Sequence, residues 1–408
     1  MNFRNTIKCL SLTLILLLVL PLVANAAPSM PTISAASSIL VDAKRGQILY
    51  QKLSAARTHV SISSKIMTAL LAIEKSQLDA KVTISKESAN TEGATLNLVV
   101  GEKYSISDLL AAVILSPAND ASNAVAEFVG GDIEKFTILM NNKAKDLNLK
   151  NTNFTNPSGL YDPSQYTTAQ DLATLMRFAL SNPMFNNIFS FNARTWESGG
   201  KTQMLVNSNT LFWSYDGVDG GKAGYNDKQQ QSAITTATRE GTRLICIALD
   251  SPENAVFGDS TKLFDYGFSN FKTDILVQKG QVIKTLTVAD QVINLISYND
   301  VYYTFPIGDN YINRFELNIT DKLDLPITKD TVLGVAKYIL NDETVVDINL
   351  YSEREIYPPS GLLKKASDKL SENKDIYLLL LLLLVLEAVL VIFSLYKFFY
   401  RLKSRNNK

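Results

Sequence analysis

The sequence predicts an α/β sandwich, in which a cluster of helices packs on a sheet, over residues 34–271. Two short apolar runs around a Lys-Arg-Gly turn, between Ser37 and Lys52, predict a β-hairpin at its start. Further strands are predicted by SAITTATREGTRLICIALD, in which an Arg-Glu-Gly turn joins two β-rich runs. Between these strand regions apolar residues recur every three or four positions, which is typical of helices.

The helical spacing occurs in several separate stretches, and one more helix follows the last strands. They are KIMTALLAIEK, SISDLLAAVIL, DASNAVAEFV, IEKFTILMNNKAKDL, TAQDLATLMRFAL and, after the strands, TKLFDYGFSNF. A hairpin, a helical cluster and returning strands together indicate one α/β domain.

A second, smaller domain is predicted over residues 272–356, where the pattern changes to short alternating segments. The segments VIKTLTV, VYYTFPI, RFELNI, TVLGVAKYIL and VVDINLY are separated by Gly, Pro, Asn and Asp, so this domain is predicted to be all-β. Residues 357–375 contain Pro358 and Pro359 near their start and continue as a mixed-charge segment, which we interpret as a stalk.

Both ends of the chain predict export to a membrane. Residues 1–26 combine basic residues, a Leu-rich run and Ala-Asn-Ala, the order of a secretory signal peptide. Residues 376–396 are long enough to cross a hydrocarbon core of about 30 Å, so they are predicted to be a transmembrane helix. Glu387 is its single charge, and we interpret it either as a contact to a partner helix or as a tolerated charge. The basic tail, residues 397–408, is predicted to stay in the cytoplasm, with the main domains outside a bacterial cytoplasmic membrane.

The composition excludes several classes of partner and chemistry. The formal net charge is +0, so no basic field for a nucleic acid is predicted. The single histidine, His59, excludes a His-rich metal site, and we predict neither a metal nor a cofactor. Once the signal peptide is removed, Cys246 is the one remaining cysteine; it lies in an apolar strand-like run and is interpreted as a buried thiol.

The order of six sequence motifs along the chain indicates a resemblance to a known family. They are LVDAKRGQILYQK, SSKIMTALLA, SPANDASNAVAEF, NTNFTNPSGLYDPSQYTTAQDLATLMRFAL, NSNTLFWSYDGVDGGKAGY and TREGTRLICIAL. This order closely resembles that of D-alanyl-D-alanine carboxypeptidases, the low-molecular-weight penicillin-binding proteins. The resemblance implies the β-lactamase/penicillin-binding-protein-like fold, with the helical cluster on an antiparallel sheet. It also implies a serine peptidase that removes the terminal D-alanine of peptidoglycan pentapeptides, with Ser-x-x-Lys, Ser-x-Asn and Lys-Thr-Gly motifs in one cleft.

The first of these motifs lacks its nucleophile. Lys65 occupies the position of the family's lysine base, but Ile62 stands where the catalytic serine is expected. A serine and a lysine three residues apart share one face of a helix, so the amine can take the hydroxyl proton. A hydrocarbon side chain cannot attack a carbonyl.

The other two motifs also lack their hydroxyls. In the second, Pro117 replaces the serine that would relay a proton, while Asn119 is retained. The third aligns with Lys222, Ala223 and Gly224, the substrate-binding stretch, and Ala223 lacks the hydroxyl that would hold the substrate carboxylate. A lost hydrogen bond to a charged group is worth about 1.5–3 kcal/mol.

Ser61 is the neighbouring hydroxyl that could replace the nucleophile, because it lies four residues before Lys65 on roughly the same helical face. Its oxygen would be displaced relative to the oxyanion-hole amides, and a misplacement of about 1 Å can cost a hundredfold in rate. Ser63 and Ser64 are predicted to point elsewhere on the helix.

Some of these residues also have structural interpretations. Lys65 is interpreted either as a ligand-binding cation or as a lysine whose stem packs while its amine reaches water. Asn119 and Asp120 are of the types that cap helices. His59 is interpreted as a rim residue, and Asn207 with Asn209 as hydrogen-bonding residues of the loop before the third motif.

The leading hypothesis is an exported, membrane-anchored pseudoenzyme that binds peptidoglycan stem peptides or a protein partner without cleaving them. Loss of a serine hydrolase nucleophile lowers turnover by about a millionfold, which favours an inactive protein. Two alternatives stay open: an active D-Ala-D-Ala carboxypeptidase that uses Ser61, and a wall-synthesis scaffold with an idle cleft that binds other cell-wall or membrane proteins.

Overall fold

A computed structural model describes residues 29–198, 200–252, 254–288, 291–308, 311–320, 323–341, 343–358 and 374–405. The predicted signal peptide and most of the predicted stalk lie outside the described residues. The described chain forms two compact units: residues up to Asp274 together with 302–308, and residues 275–301 together with those from 311 onward. The VYYTFPI strand, which the sequence pattern assigned to the β domain, is therefore grouped largely with the first unit.

The first unit contains all of the helices and strands predicted for the α/β domain, together with shorter elements. In chain order they are β1 (Ser37–Asp42), β2 (Ile48–Lys52), α1 (Ser61–Lys75), β3 (Lys81–Thr83), α2 (Lys86–Ala89), β4 (Lys103–Ser105), α3 (Ile106–Leu115), α4 (Asn119–Gly130), α5 (Ile133–Asp146), α6 (Ala169–Ser181), α7 (Pro183–Phe189), β5 (Ala193–Ser198), β6 (Lys201–Val206), α8 (Leu211–Ser214), β7 (Val218–Tyr225), β8 (Gln231–Arg239), β9 (Thr242–Ser251) and α9 (Val256–Asn270).

The main sheet has five strands in the order β2-β1-β9-β8-β7, and neighbouring strands are antiparallel. The predicted hairpin of β1 and β2 is present. Its turn is held by the Asp42 carboxylate, which accepts the backbone N–H groups of Lys44, Arg45 and Gln47. Gly46 adopts φ +76°, a left-handed conformation that glycine tolerates without strain. The sheet order leaves β7 at an edge.

The sheet is covered on both faces, as expected for a sandwich. Ile245 and Ile247 of β9 belong to the core shared with the helical cluster of α1 and α3–α7. Leu244, Cys246 and Ala248 alternate with them and belong to the core on the α9 side. Cys246 is fully buried, and burial raises its pKa to about 12, so the thiol is a packing residue.

The second unit confirms the predicted small β domain. The remaining elements are β10 (Phe271–Val277), β11 (Val282–Val288), β12 (Gln291–Ile296), β13 (Val301–Pro306), β14 (Ile312–Ile319), β15 (Val332–Leu340), β16 (Val345–Ser352) and α10 (Lys374–Arg405). The sheet of this unit has five strands in the order β11-β12-β16-β15-β14. β10 pairs in a separate two-stranded sheet with β13, which belongs largely to the first unit. Alternating burial along β16 gives this sheet one apolar face, which includes Val346, Ile348 and Leu350.

The C-terminal helix α10 contains a stretch, Leu378–Lys397, that is long and apolar enough to cross a membrane. Its 20 residues have a mean hydropathy of 3.1 and correspond to about 30 Å of helix. Glu387 lies near the middle of this stretch and is exposed. Length and composition therefore make α10 a candidate membrane span at nearly the predicted position.

Candidate active-site cleft

A cleft of about 560 Å³ lies in the first unit, between the start of α1, the segment before α4 and the edge strand β7. Its lining includes every site residue singled out from the sequence. The lining residues are His59, Ser61, Ile62, Lys65, Gly93, Ala94, Pro117, Asn119, Gly159, Leu160, Tyr161, Ser208, Lys222, Ala223, Gly224, Tyr225, Asn226, Asp227 and Gln231. Three stretches that are distant in sequence thus meet at one place.

Ile62 is part of the packed wall of this cleft. It is 2% exposed and belongs to the core of the helical cluster. A Cβ built on Gly224 would lie 2.7 Å from Ile62 Cγ2, so the isoleucine methyl group packs directly on the β7 backbone. The position expected for a nucleophilic oxygen is therefore filled by hydrocarbon, and a side chain at residue 224 would collide with it.

Lys65 is buried and bonded to the protein instead of reaching water. Its Nζ donates to Asn119 Oδ1 at 2.7 Å and also to the backbone carbonyl of Ser158. The residue is 4% exposed. Burial lowers the pKa of Lys65 to about 7, while the nearby Asp120 carboxylate acts in the opposite direction. At neutral pH a large fraction of this amine is uncharged.

Ser61 lies in the cleft, but its hydroxyl is not paired with Lys65. Ser61 Oγ donates to the backbone carbonyl of Tyr225 at 3.3 Å. As predicted, Ser63 and Ser64 point elsewhere: Ser63 Oγ donates to the Val60 carbonyl, and Ser64 Oγ donates to Gln165 Oε1. The described contacts thus give Ser61 no base that would remove its proton.

The second stretch is anchored by Asn119 and Asp120. The N-cap of α4 is Ala118, so neither residue is the N-cap itself, but Asp120 Oδ1 accepts the backbone N–H of Ala121 in the first turn at 2.9 Å. Asn119 Nδ2 donates to the Glu92 carbonyl, while the Asp120 carboxylate accepts the backbone N–H groups of Leu96 and Leu98. The bonded residues are 22 to 27 positions apart in sequence, so local sequence patterns could not distinguish this long-range role from helix capping. Pro117, next to them, is exposed to the cleft.

Lys222 lies in the cleft lining, but its amine is buried and bonded to the protein. It is 1% exposed, and its Nζ donates to the carbonyls of Ile114 at 3.1 Å and Ser116 at 3.2 Å. These carbonyls belong to the end of α3 and its cap, where unpaired backbone acceptors are available. Burial, reinforced by the charge of Lys65, holds the pKa of Lys222 well below its ordinary value.

Side chains donate hydrogen bonds to the backbone carbonyls on the edge of β7 that has no neighbouring strand. Carbonyls on one edge of a strand recur at every second residue, and here they belong to Gly221, Ala223 and Tyr225. Asn207 Nδ2 donates to the first, Ser208 Oγ to the second and Ser61 Oγ to the third. The loop that carries Asn207 therefore has the hydrogen-bonding role that the sequence predicted for it, and Asn209 donates similarly to Thr235 Oγ1.

Comparison with known proteins assigns the family. The profile described as D-alanyl-D-alanine carboxypeptidase matches residues 24–253, more than half of the chain. The chain belongs to this family. The profile of the penicillin-binding protein 5 C-terminal domain matches residues 271–357. The resemblance inferred from the order of the motifs is thereby confirmed.

Individual relatives of this D-alanyl-D-alanine carboxypeptidase family member agree with the profiles. It is 31% identical over 313 residues to D-alanyl-D-alanine carboxypeptidase DacF of Bacillus subtilis, which covers 74% of this chain and 80% of that protein. It is 29% identical over 332 residues to DacC of Escherichia coli, covering 77% and 82%. Its structure resembles penicillin binding protein 5 from Haemophilus influenzae, with a TM-score of 0.71, 26% identity and coverage of 81% of this chain and 100% of that one.

The carboxypeptidase-family cleft also contains residues that sequence reasoning did not assign. Gly159 has φ +76°, and a Cβ there would lie 2.1 Å from the Ser61 carbonyl oxygen, so only glycine lets this loop approach α1. Asn156 Oδ1 holds the loop by accepting from the backbone N–H groups of Gly159 and Leu160. The NPSG sequence of this loop was a signal that could have been read as a tight turn.

His59 and Gln231 complete the lining. His59 lies 3.1 Å from the Gln165 amide nitrogen through Nε2, and its ring packs edge-on against Tyr161. Burial lowers the pKa of His59, although Asp227 and other nearby carboxylates oppose this shift. Its half-buried position in the cleft agrees with the interpretation as a rim residue. Gln231 had no distinguishing pattern in the sequence, because its place in the cleft depends on the pairing of β8 with β7.

Proposed function

We propose that this protein is an exported, membrane-anchored pseudoenzyme of peptidoglycan metabolism, whose cleft binds stem peptides without hydrolysing them. The observation that carries the proposal is the position of Ile62. Its methyl group packs on the β7 backbone at Gly224, and hydrolysis through an acyl intermediate needs an oxygen at this helix start. The lost hydroxyls at Pro117 and Ala223 support the same conclusion.

The remaining polar residues of the cleft are not arranged for catalysis. Lys65 and Lys222 are retained, but both are bonded to protein oxygens instead of to a hydroxyl nucleophile. A serine hydrolase without its nucleophile keeps only the part of the rate that comes from binding and the oxyanion hole. The scaffold thus retains the shape for a peptide while the chemical step is lost.

Membrane anchoring is the second part of the proposal. The apolar stretch Leu378–Lys397 would span the bilayer, and the basic residues after it would remain in the cytoplasm. Both globular units would then lie outside the cytoplasmic membrane, where peptidoglycan is found. Stem peptides, the membrane and other cell-wall proteins are the partners that this placement makes available.

We expect the full chain, purified in neutral detergent, to form no covalent adduct with a fluorescent penicillin and to release no D-alanine from a pentapeptide. A penicillin reacts covalently with an activated serine, so an unlabelled band after electrophoresis indicates that the cleft has none. DacF of Bacillus subtilis serves as the positive control for both assays.

A labelled band would contradict the proposal, and two matched variants would then identify the reacting residue. If Ser61→Ala abolishes the label while Ser63→Ala retains it, the protein is an active enzyme that uses Ser61. The structure argues against this outcome, because Ser61 Oγ donates to the Tyr225 carbonyl.

The scaffold hypothesis remains as the second candidate, supported by α10 and the separate β unit. It differs from the ligand-binding proposal in one measurable respect. If titration calorimetry detects no stem-peptide binding while the full chain retains other cell-wall proteins in pull-downs, the cleft is idle and the scaffold hypothesis is correct.

A further inference from the structure

Glu387 places a carboxyl group near the middle of the candidate span Leu378–Lys397, where it is exposed on α10. It lies nine residues from one end of this stretch and ten from the other, which is about 14–15 Å of helix in either direction. A glutamate side chain is too short to reach water over that distance. Lys397, the nearest cation along the described helix, is equally out of reach. The carboxyl group therefore needs a partner outside its own helix.

A second polar side chain lies on the same face of this helix. Before its last two residues, the stretch Leu378–Lys397 contains two polar side chains, Glu387 and Ser394, and both are exposed. They are seven residues apart, about two turns of helix, so they project from one face. Leu383 and Leu390 lie beside them at the spacing of a coiled-coil seam. Serine commonly hydrogen-bonds between packed transmembrane helices, so the polar residues define this face as a contact surface.

A second copy of this chain has the matching surface. Two copies inserted with the same orientation place their Glu387 side chains at the same depth, where they can face each other. Hydrocarbon favours the uncharged form of a carboxyl group, which has one O–H donor as well as acceptor oxygens. Two such groups satisfy each other, and a single buried polar residue can fix the register of a parallel helix pair. We propose that the chain forms a parallel homodimer in the membrane through the face of α10 that carries Glu387 and Ser394.

The inference rests on the proposed membrane anchoring and adds a partner to it. Leu378–Lys397 is the one stretch among the described residues with the length and apolarity of a span, so the described chain offers Glu387 no second helix in the bilayer. A dimer carries two clefts on one patch of membrane. A wall strand with several stem peptides would then be held at two points, which increases its overall affinity.

Cysteine crosslinking in lipid vesicles tests the contact face. The full chain is purified, reconstituted alone into phosphatidylcholine vesicles and oxidised with copper phenanthroline. Leu380→Cys lies on the Glu387 face, so it is expected to give a disulfide-linked dimer. Leu382→Cys is the matched control: it lies about 200° further around the helix at nearly the same depth, so its dimer should be lost, because cysteines with Cα atoms more than about 7 Å apart cannot be bridged. The natural chain, with Cys246 buried, gives the background.

Carbonate extraction of the same vesicles separates the two ways in which this test can fail. If the chain is released by carbonate, the membrane anchoring is wrong and the dimer with it. If the chain stays inserted but neither cysteine crosslinks, or both crosslink equally, the anchoring stands and the homodimer is overturned.

Substitutions of Glu387 in the Leu380→Cys chain test the carboxyl group itself. Glu387→Leu removes the interhelical hydrogen bonds and is expected to raise the dissociation constant of the dimer about tenfold, measured from the crosslinked fraction at a series of protein-to-lipid ratios. Glu387→Gln still donates and accepts hydrogen bonds, so it should retain the dimer. Unchanged dimerisation of an inserted Glu387→Leu chain, or equal loss in both variants, overturns the hydrogen-bonded pair.

Discussion

The combined variant Ile62→Ser, Pro117→Ser and Ala223→Thr is expected to form a covalent adduct with fluorescent penicillin, where the natural protein forms none. The new serine oxygen would attack the β-lactam carbonyl, the ring C–N bond would open, and Lys65 would pass the serine proton toward the ring nitrogen. Because loss of the nucleophile costs about a millionfold, even partial restoration should be visible as a labelled band. The readout is the fraction of protein labelled with time.

A matched variant separates the effect of the new serine oxygen from the effect of shortening the side chain at position 62. Ile62→Ala with the same two other substitutions shortens the side chain equally but supplies no nucleophile, so it should remain unlabelled. Both triple variants are expected to lose about 2–5 kcal/mol in free energy of unfolding, because Ile62 is 2% exposed and packs in the core. A folded serine variant that stays unlabelled would show that the backbone of the cleft no longer has the geometry for acylation.

The free energy of unfolding of the first unit is expected to increase as the pH is raised from 7 to about 8.5. In the folded protein the pKa of Lys65 is about 7, whereas its ordinary value is 10.5. Between these values the unfolded chain binds a proton that the folded protein does not, so a higher pH favours folding. The gain is at most about 1.4 kcal/mol per pH unit for each such lysine, and Lys222 acts in the same direction.

The increase in stability with pH is limited to a certain pH range. Below pH 7 Lys65 becomes protonated in the folded state too, and its contribution to the slope disappears. Above pH 9 the Cys246 thiol ionises in the unfolded chain but not in the folded one, where its pKa is about 12, so this group opposes the lysine contribution, which itself ends near the ordinary lysine value of 10.5.

Urea unfolding of the full chain in neutral detergent measures this slope. Its two tryptophans, Trp196 and Trp213, both lie in the first unit and report its unfolding by fluorescence. Lys65→Met should reduce the slope by about one proton, whereas Lys103→Met, at an exposed position on β4, should leave it unchanged. A slope that is flat or negative between pH 7 and 8.5 would show that both lysines stay protonated in the folded cleft.

The family and the main architecture could be predicted from the sequence, because both depend on local patterns that were long enough to be read. Helices such as α6 span several turns with regular apolar spacing, and the hairpin of β1 and β2 closes over a five-residue turn. The short elements were missed for the same reason. β3 and β4 have three residues each and exist because they pair with each other across about twenty residues.

The sequence by itself also determined which atoms the cleft lacks: side-chain chemistry is a local property, and no packing can supply an oxygen to Ile62. Only the tertiary structure determined which of the remaining polar groups already have hydrogen-bond partners within the protein. Lys65 meets Asn119 across 54 residues and Lys222 meets Ile114 across 108, so the sequence could not show that both amines are already bonded. Hydrogen-bond partners of this kind are set by long-range packing rather than by neighbours along the chain.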